Sequence, residues 1–132
     1  MDIFILHQQG RVPVTVFRIK GEINMNTHEQ LQDQAQAAFK AGARTLLLDL
    51  SEVPYMTSAG LRALHYIFNL LHTDLAGESQ AAMRQGLRDG TFKSPRLKLL
   101  SPQPAVLTTL HIAGFDMFLE THHTLEEAVA SF

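Results

Sequence analysis

The sequence predicts a single α/β domain, with a mixed sheet of about five strands, antiparallel at its start and then parallel, and about four helices. Residues 3–8 and 12–19 are two strand-like stretches around a short turn with Gly10, and Val12, Val14 and Val16 of the second follow a period of two, which predicts an antiparallel hairpin. Helical and strand-like stretches then alternate, which favours right-handed crossovers between parallel strands. Residues 45–50 are a nearly unbroken apolar run, typical of a strand covered on both faces.

Composition restricts the classes of function. The chain has 132 residues and is 45% hydrophobic, so one domain over residues 1–132 is expected, with a substantial core. A net charge of -2 provides no basic field for nucleic acid or an anionic membrane. With Cys 0, disulfides, thiolate metal sites and cysteine nucleophiles are excluded. Since the N-terminus lacks a basic leader and no apolar run approaches the ~18 residues of a membrane span, a cytoplasmic location is expected.

The first two helices have recognisable boundaries. Thr27 and Gln30 stand at capping-box spacing, so the first helix is expected to start there, and Gly42 is placed to end it. The second helix is expected to run from about Ser58 to His72. Its apolar positions are Leu61, Leu64, Phe68 and Leu71.

The C-terminal third is expected to continue the alternation. Residues 96–100 predict the fourth strand, and Ser101-Pro102 are expected to open a helix that ends at Gly114. Its inward-facing residues are expected to be Val106, Leu107 and Leu110. Residues 115–120 predict a short fifth strand. Thr124 and Glu127 then form a second capping box ahead of a final helix. That helix is expected to be lined by Leu125, Ala128, Val129 and Phe132.

An extended segment at about residues 75–95 separates the second helix from the fourth strand. Residues 78–88 are rich in helix formers. One interpretation is a solvated loop with a short helix. The other is an added contact surface for a partner or for a second copy of the chain.

The most informative stretch is the turn from the buried strand into the second helix. Pro54 interrupts the connection, and Thr57 to Gly60 open the helix. The first N–H groups of a helix lack intrahelical partners, and the helix dipole favours negative charge there. The hydroxyl of Ser58 can therefore cap the helix or carry a phosphate. Because Gly60 has no side chain, another surface is expected to approach Ser58 closely.

Two motifs carry a resemblance to a known family. Residues 49–53 and 56–61, with Ser58-Ala59-Gly60-Leu61, resemble the STAS domain of bacterial anti-sigma factor antagonists. Gly21-Glu22-Ile23-Asn24 is similar to a second family feature. Thr57 and Asn24 stand where that family usually has Asp. The resemblance covers most of the chain.

The resemblance implies a non-enzymatic protein-binding regulator of transcription. Its partner would be a serine protein kinase that is also the anti-sigma factor, and its phosphoacceptor would be Ser58. The partner-binding residues would be Tyr55, Met56, Thr57, Ser58, Ala59, Gly60, Leu61 and Asn24. A homodimer is an open possibility, whereas no cofactor, metal, nucleic acid or membrane is expected to bind. Loops 21–27 and 55–58 leave the carboxyl ends of strands, so they should be neighbours.

Alternatives from other classes remain open. One is an unphosphorylated STAS scaffold, or a small-ligand-binding module, that self-associates. The other is a Ser-dependent hydrolase, which is disfavoured because position 56 is Met and the Gly-x-Ser-x-Gly motif is missing. Asn24 is expected to cap the first helix, with contact to the phosphate region as the alternative. Asp49 is expected to form turn contacts rather than to orient the Ser58 loop.

Overall fold

A computed structural model of the protein describes residues 1–74 and 77–132, which form a five-stranded sheet in the order β1-β2-β3-β4-β5. The strands are β1 (Asp2–Gln9), β2 (Pro13–Lys20), β3 (Leu46–Glu52), β4 (Leu97–Leu100) and β5 (Thr121–His122). β1 and β2 are antiparallel, whereas each later neighbour pair is parallel. The predicted mixed sheet is confirmed.

Five α-helices occur in the described residues, where about four were expected. They are α1 (His28–Lys40), α2 (Ser58–Leu71), α3 (Glu78–Asp89), α4 (Pro104–Ile112) and α5 (Leu125–Ser131). The additional helix is α3, which lies in the segment at about residues 75–95. Leu75 and Ala76, at the start of that segment, lie outside the described residues.

The core has two layers, one on each face of the sheet. Leu46, Leu48 and Leu50 of β3 face the larger layer, where they pack with residues of α1 and α2 such as Leu31 and Leu64. Leu47 faces the smaller layer and packs with α5. Alternate residues of one strand therefore enter opposite layers, which confirms that β3 is covered on both faces.

The capping box expected at the start of α1 is wrong, whereas the one at α5 forms its predicted hydroxyl bond. The Thr27 hydroxyl accepts from the Asn24 N–H at 2.9 Å and donates to the Glu22 carbonyl at 2.8 Å, so it holds the preceding turn instead of the helix. Gln30 donates to the Met1 carbonyl at 3.2 Å. By contrast, the hydroxyl of Thr124 accepts from the Glu127 N–H at 3.2 Å.

Three expectations for the C-terminal third are also wrong. α4 begins at Pro104 rather than at Ser101-Pro102, and Leu107 is exposed while Val106 and Leu110 are buried. Residues 115–120 do not form a strand, because the chain continues as a 3₁₀-helix over Phe115–Met117. Phe115, Phe118 and Leu119 pack on the core with helix-like spacing, which the apolar run concealed.

Candidate functional site

Two loops meet at one end of the sheet and position the start of α2. The Ile23 N–H donates to the Tyr55 carbonyl at 3.2 Å, and the Thr57 N–H donates to the Ile23 carbonyl at 3.0 Å. Ile23 and Met56 thereby form a parallel bridge outside the main strands. The prediction that loops 21–27 and 55–58 are neighbours is confirmed.

Ser58 is the first residue of α2, and its side chain is exposed. Thr57 precedes it in an extended conformation and occupies the N-cap position, so Ser58 is not the cap that one reading of the sequence suggested. The first helical bond runs from the Leu61 N–H to the Thr57 carbonyl at 3.1 Å. The N–H groups of residues 58–60 therefore point out of the helix without an intrahelical acceptor.

The Ser58 hydroxyl has no hydrogen-bond partner among residues 1–74 and 77–132. In the same residues, no imidazole or carboxylate bonds to it, so the arrangement lacks the nucleophile–base contact that a serine hydrolase uses. This geometry gives the hydrolase reading of the sequence no support.

The charge around Ser58 favours an anion. The first turn of α2, which is fully described, has no acidic residue. Arg62 follows Ser58 by four residues and is exposed, so the two side chains share one face of the helix. A helix N-terminus and a guanidinium group both interact favourably with negative charge.

Three members of the predicted partner-binding set are buried beneath the exposed surface of the loop. Met56, Ala59 and Gly60 are inaccessible and support the site from below. Tyr55 and Ser58 are exposed. The partly exposed members of the set are Thr57, Leu61 and Asn24.

Gly60 serves internal packing rather than the approach of a partner. A Cβ atom at this position would lie 2.5 Å from Met56 Cγ and 2.8 Å from the Ile23 carbonyl oxygen. The absence of a side chain lets the first turn of α2 rest directly on the bridge between the two loops. The expectation that Gly60 exposes Ser58 to another surface is therefore corrected.

Asn24 and Asp49 both have local structural roles. The Asn24 carboxamide oxygen accepts from the Asn26 N–H at 2.9 Å, and its carbonyl accepts from His28 at 2.9 Å. Asn24 therefore shapes the turn before α1, although the N-cap position itself is Thr27. Asp49 accepts from the Ser51 N–H at 3.0 Å, which is the expected turn contact, and it also pairs with Arg18 of the neighbouring strand β2 at 3.4 Å.

Sequence reasoning did not single out Met25, whose side chain is 74% exposed beside the bridge formed by Ile23. Tyr55, on the facing loop, is 51% exposed. We call Met25, Tyr55, Thr57, Ser58 and Leu61 the Ser58 surface. The sequence does not show whether a Met in a polar loop is buried or exposed, so only the structure could identify Met25 as part of this surface.

Titratable groups with shifted pKa values lie away from the Ser58 surface. Burial lowers the pKa of His72, whose Nδ1 donates to the Phe68 carbonyl at 2.7 Å. Arg96 beside Asp74 holds the pKa of that carboxyl below its usual range. Both groups follow the C-terminus of α2, at the opposite end of the helix from Ser58.

Comparisons with known proteins identify the family. The STAS domain family matches residues 4–75, which is more than half of the chain, and the protein therefore belongs to the STAS domain family. No curated protein matches it significantly. In the described part of the chain, no helix is long and apolar enough to cross a membrane.

Solved structures share the fold over nearly the whole chain. An anti-sigma factor antagonist from Mycobacterium paratuberculosis is 23% identical with a TM-score of 0.67, covering 98% of this chain and 93% of that one. SpoIIAA from Bacillus, in its phosphorylated form, is 19% identical with a TM-score of 0.62, covering 97% of this chain and 96% of its own. A STAS domain protein from Planctomyces limnophilus is 19% identical with a TM-score of 0.68, covering 98% of this chain and 96% of that one.

Proposed function

We propose that the protein is a regulatory protein-binding domain of the anti-sigma factor antagonist type, switched by phosphorylation of Ser58. Its partner would be a serine protein kinase that also acts as the anti-sigma factor. Membership of the STAS family supports the regulatory binding role, as do structural neighbours described as anti-sigma factor antagonists. SpoIIAA, one of these neighbours, is known in both unphosphorylated and phosphorylated forms.

The exposed, unbonded hydroxyl of Ser58 at the first position of α2 is the observation that carries this proposal. A kinase requires an accessible acceptor hydroxyl, and a hydroxyl that caps its own helix would already be hydrogen-bonded. Met25 and Tyr55 are exposed on the two loops that meet at the start of α2, and an incoming partner would cover them.

A phosphate on Ser58 would change binding without changing the fold. It adds roughly -1.5 to -2 charge at neutral pH. The outward N–H groups of α2 and the guanidinium of Arg62 accommodate that charge within the domain. A partner that covers Met25 and Tyr55 would have to desolvate the phosphate, so the modified surface binds it less well.

The proposal is tested by incubating the protein with candidate serine-kinase anti-sigma factors from the same genome and ATP. Mass spectrometry should locate one phosphate on Ser58, and Ser58→Ala should abolish it. Ser51→Ala is the matched control, because Ser51 is also exposed but lies at the end of β3, and it should leave phosphorylation unchanged. Phosphate on another residue, or partner binding unaffected by Ser58→Glu, contradicts the switch.

An unphosphorylated scaffold is the second candidate, and α3 favours it. This helix is fully described and has no buried residue, so most of its surface is available for contacts. Met83 and Phe92 attach the segment to the core. A scaffold of this kind would bind its partner through α3 with the same affinity before and after Ser58 is modified, whereas the switch requires a difference.

A further inference from the structure

The outer edge of β1 is an open pairing surface that the Ser58 switch does not use. β1 lies at the end of the sheet and pairs on its inner side with β2, from Asp2↔Lys20 to Gln9↔Pro13. Within residues 1–74 and 77–132, nothing pairs with its outer side. The opposite edge, β5, is only 2 residues long, whereas β1 has 8.

β1 lacks the features that normally protect an edge strand. Natural edges are usually short, or carry charged residues or proline that discourage pairing with another chain. The only formal charge in β1 belongs to Asp2, at its first position, and the strand contains no proline. The backbone groups on its outer side are therefore free to bind another strand.

Exposed apolar side chains flank the middle of this edge on both faces of the sheet. Phe4 is 52% exposed and stands opposite Arg18, on the face covered by α5. Ile5 is 43% exposed and stands opposite Phe17, on the face covered by α1 and α2. An added strand would cover both residues at once, because its side chains also alternate between the two faces.

A groove beside Ile5 provides room for side chains of an added strand. It has a volume of about 450 Å³ and lies between the edge of the sheet and the C-terminal half of α1. Ala37, Ala38 and Ala41 line its helical side, while Ile5 and His7 line its strand side. Small side chains on α1 leave the space, and the absence of charge in this described lining favours an apolar occupant.

We propose that the occupant is a second copy of the chain, with β1 pairing antiparallel to its own equivalent across a two-fold axis at Ile5. Matching the faces of the two sheets requires residues of the same parity to stand opposite each other. In this register Ile5 faces the partner's Ile5, Phe4 faces the partner's Leu6, and Asp2 faces the partner's Gln8. Two five-stranded sheets thereby become one continuous sheet.

The distribution of residues along β1 favours a second copy over an unrelated strand. A two-fold interface must be complementary to itself, so apolar residues must meet apolar ones after a reversal of direction. The central residues Phe4, Ile5 and Leu6 satisfy this condition about Ile5, whereas Ile3 meets the partner's His7 nearer the ends of the strand. The two Asp2 carboxylates would be ~20 Å apart at strand spacing, beyond the screening length of ~8 Å, and would not repel each other.

Sedimentation velocity at rising concentration tests the proposal. The wild type should reach twice its monomer mass of 14.7 kDa. Ile5→Lys should remain at 14.7 kDa, because two ammonium groups would face each other across the axis. The matched control is Ile112→Lys at the end of α4, where the side chain is 80% exposed, and it should still dimerise.

Amide hydrogen exchange of the wild type gives a second readout that requires no variant. Exchange of outward-facing amides within residues 3–7 should slow as concentration rises, because they become hydrogen-bonded to the second copy. A wild type that stays at 14.7 kDa at every concentration overturns the proposal. The proposal is also overturned if Ile5→Lys still dimerises or if Ile112→Lys does not. A dimer that leaves the amide exchange of residues 3–7 unchanged overturns it as well. Circular dichroism checks that both variants are folded.

Discussion

Gly60 should be the residue at which the smallest substitution does the most damage to the site. Replacing it with Ala adds one Cβ atom, 2.5 Å from Met56 Cγ and 2.8 Å from the Ile23 carbonyl oxygen. Met56 Cγ belongs to a buried core side chain, so it can shift only together with its neighbours. The Ile23 carbonyl is fixed as well, because it accepts the Thr57 N–H at 3.0 Å and is part of the bridge between the two loops.

Two opposing effects determine how much Gly60→Ala changes the free energy of unfolding. Inside a helix, exchanging Gly for Ala usually stabilises by about 0.5–1 kcal/mol. Overpacking of a tight interior costs about 1–3 kcal/mol, and displacing the Ile23 carbonyl weakens a hydrogen bond worth about 1 kcal/mol. The steric cost should win, so that the free energy of unfolding falls by about 1–2 kcal/mol.

Urea denaturation followed by circular dichroism measures this change. Ser58→Ala is the matched control, since it lies two residues earlier on the exposed side of the same helix and should stay within about 0.5 kcal/mol of the wild type. The sign of the change in the free energy of unfolding decides between the two effects. If Gly60→Ala is as stable as the wild type or more so, helix propensity dominates and the proposed close contact is not a constraint.

Three further outcomes test other parts of the structure. Leu110→Ala should lower the free energy of unfolding by about 2–4 kcal/mol and Leu107→Ala by under about 1 kcal/mol, because only Leu110 is buried. Equal losses of stability in urea denaturation would contradict the orientation of α4. Lys98→Ala should cost about 2 kcal/mol by the same assay, since its buried ammonium group bonds the Ser131 carbonyl at 2.7 Å. The lowered pKa of His72 means that the unfolded chain binds a proton more readily, so the free energy of unfolding should fall as pH drops below the usual 6.5. Denaturation across pH should show a weaker acid dependence in His72→Gln, and an unchanged slope would exclude this group as the cause.

The central half of the molecule could be predicted because its signals are local. An apolar run with side chains for both faces defined β3, and Pro54 followed by a helix opening located Ser58 at a strand-to-helix turn. The rule that parallel strands end at one edge then brought the two loops together. These inferences need only the order of elements and the geometry of a strand.

What could not be predicted depends on contacts that the spacing of residues along the chain does not reveal. The hydroxyl of Thr27 has two possible uses, and the conformation of the preceding turn, rather than the spacing to Gln30, decides between them. Gly60 was interpreted as an opening to the surface because the sequence does not show that Ile23 lies against it. Leu107 and Leu110 both suit an apolar helix, and the rotation of α4 on the core decides which one is buried.

The affinity for the partner kinase before and after phosphorylation tests the central claim most directly. The protein is bound to the kinase domain in an inactive form, unmodified or carrying one phosphate on Ser58, and the two dissociation constants are compared. We expect phosphorylation to weaken binding at least about tenfold, equivalent to ~1.4 kcal/mol, through desolvation of the phosphate. Equal dissociation constants for the two forms would contradict the switch.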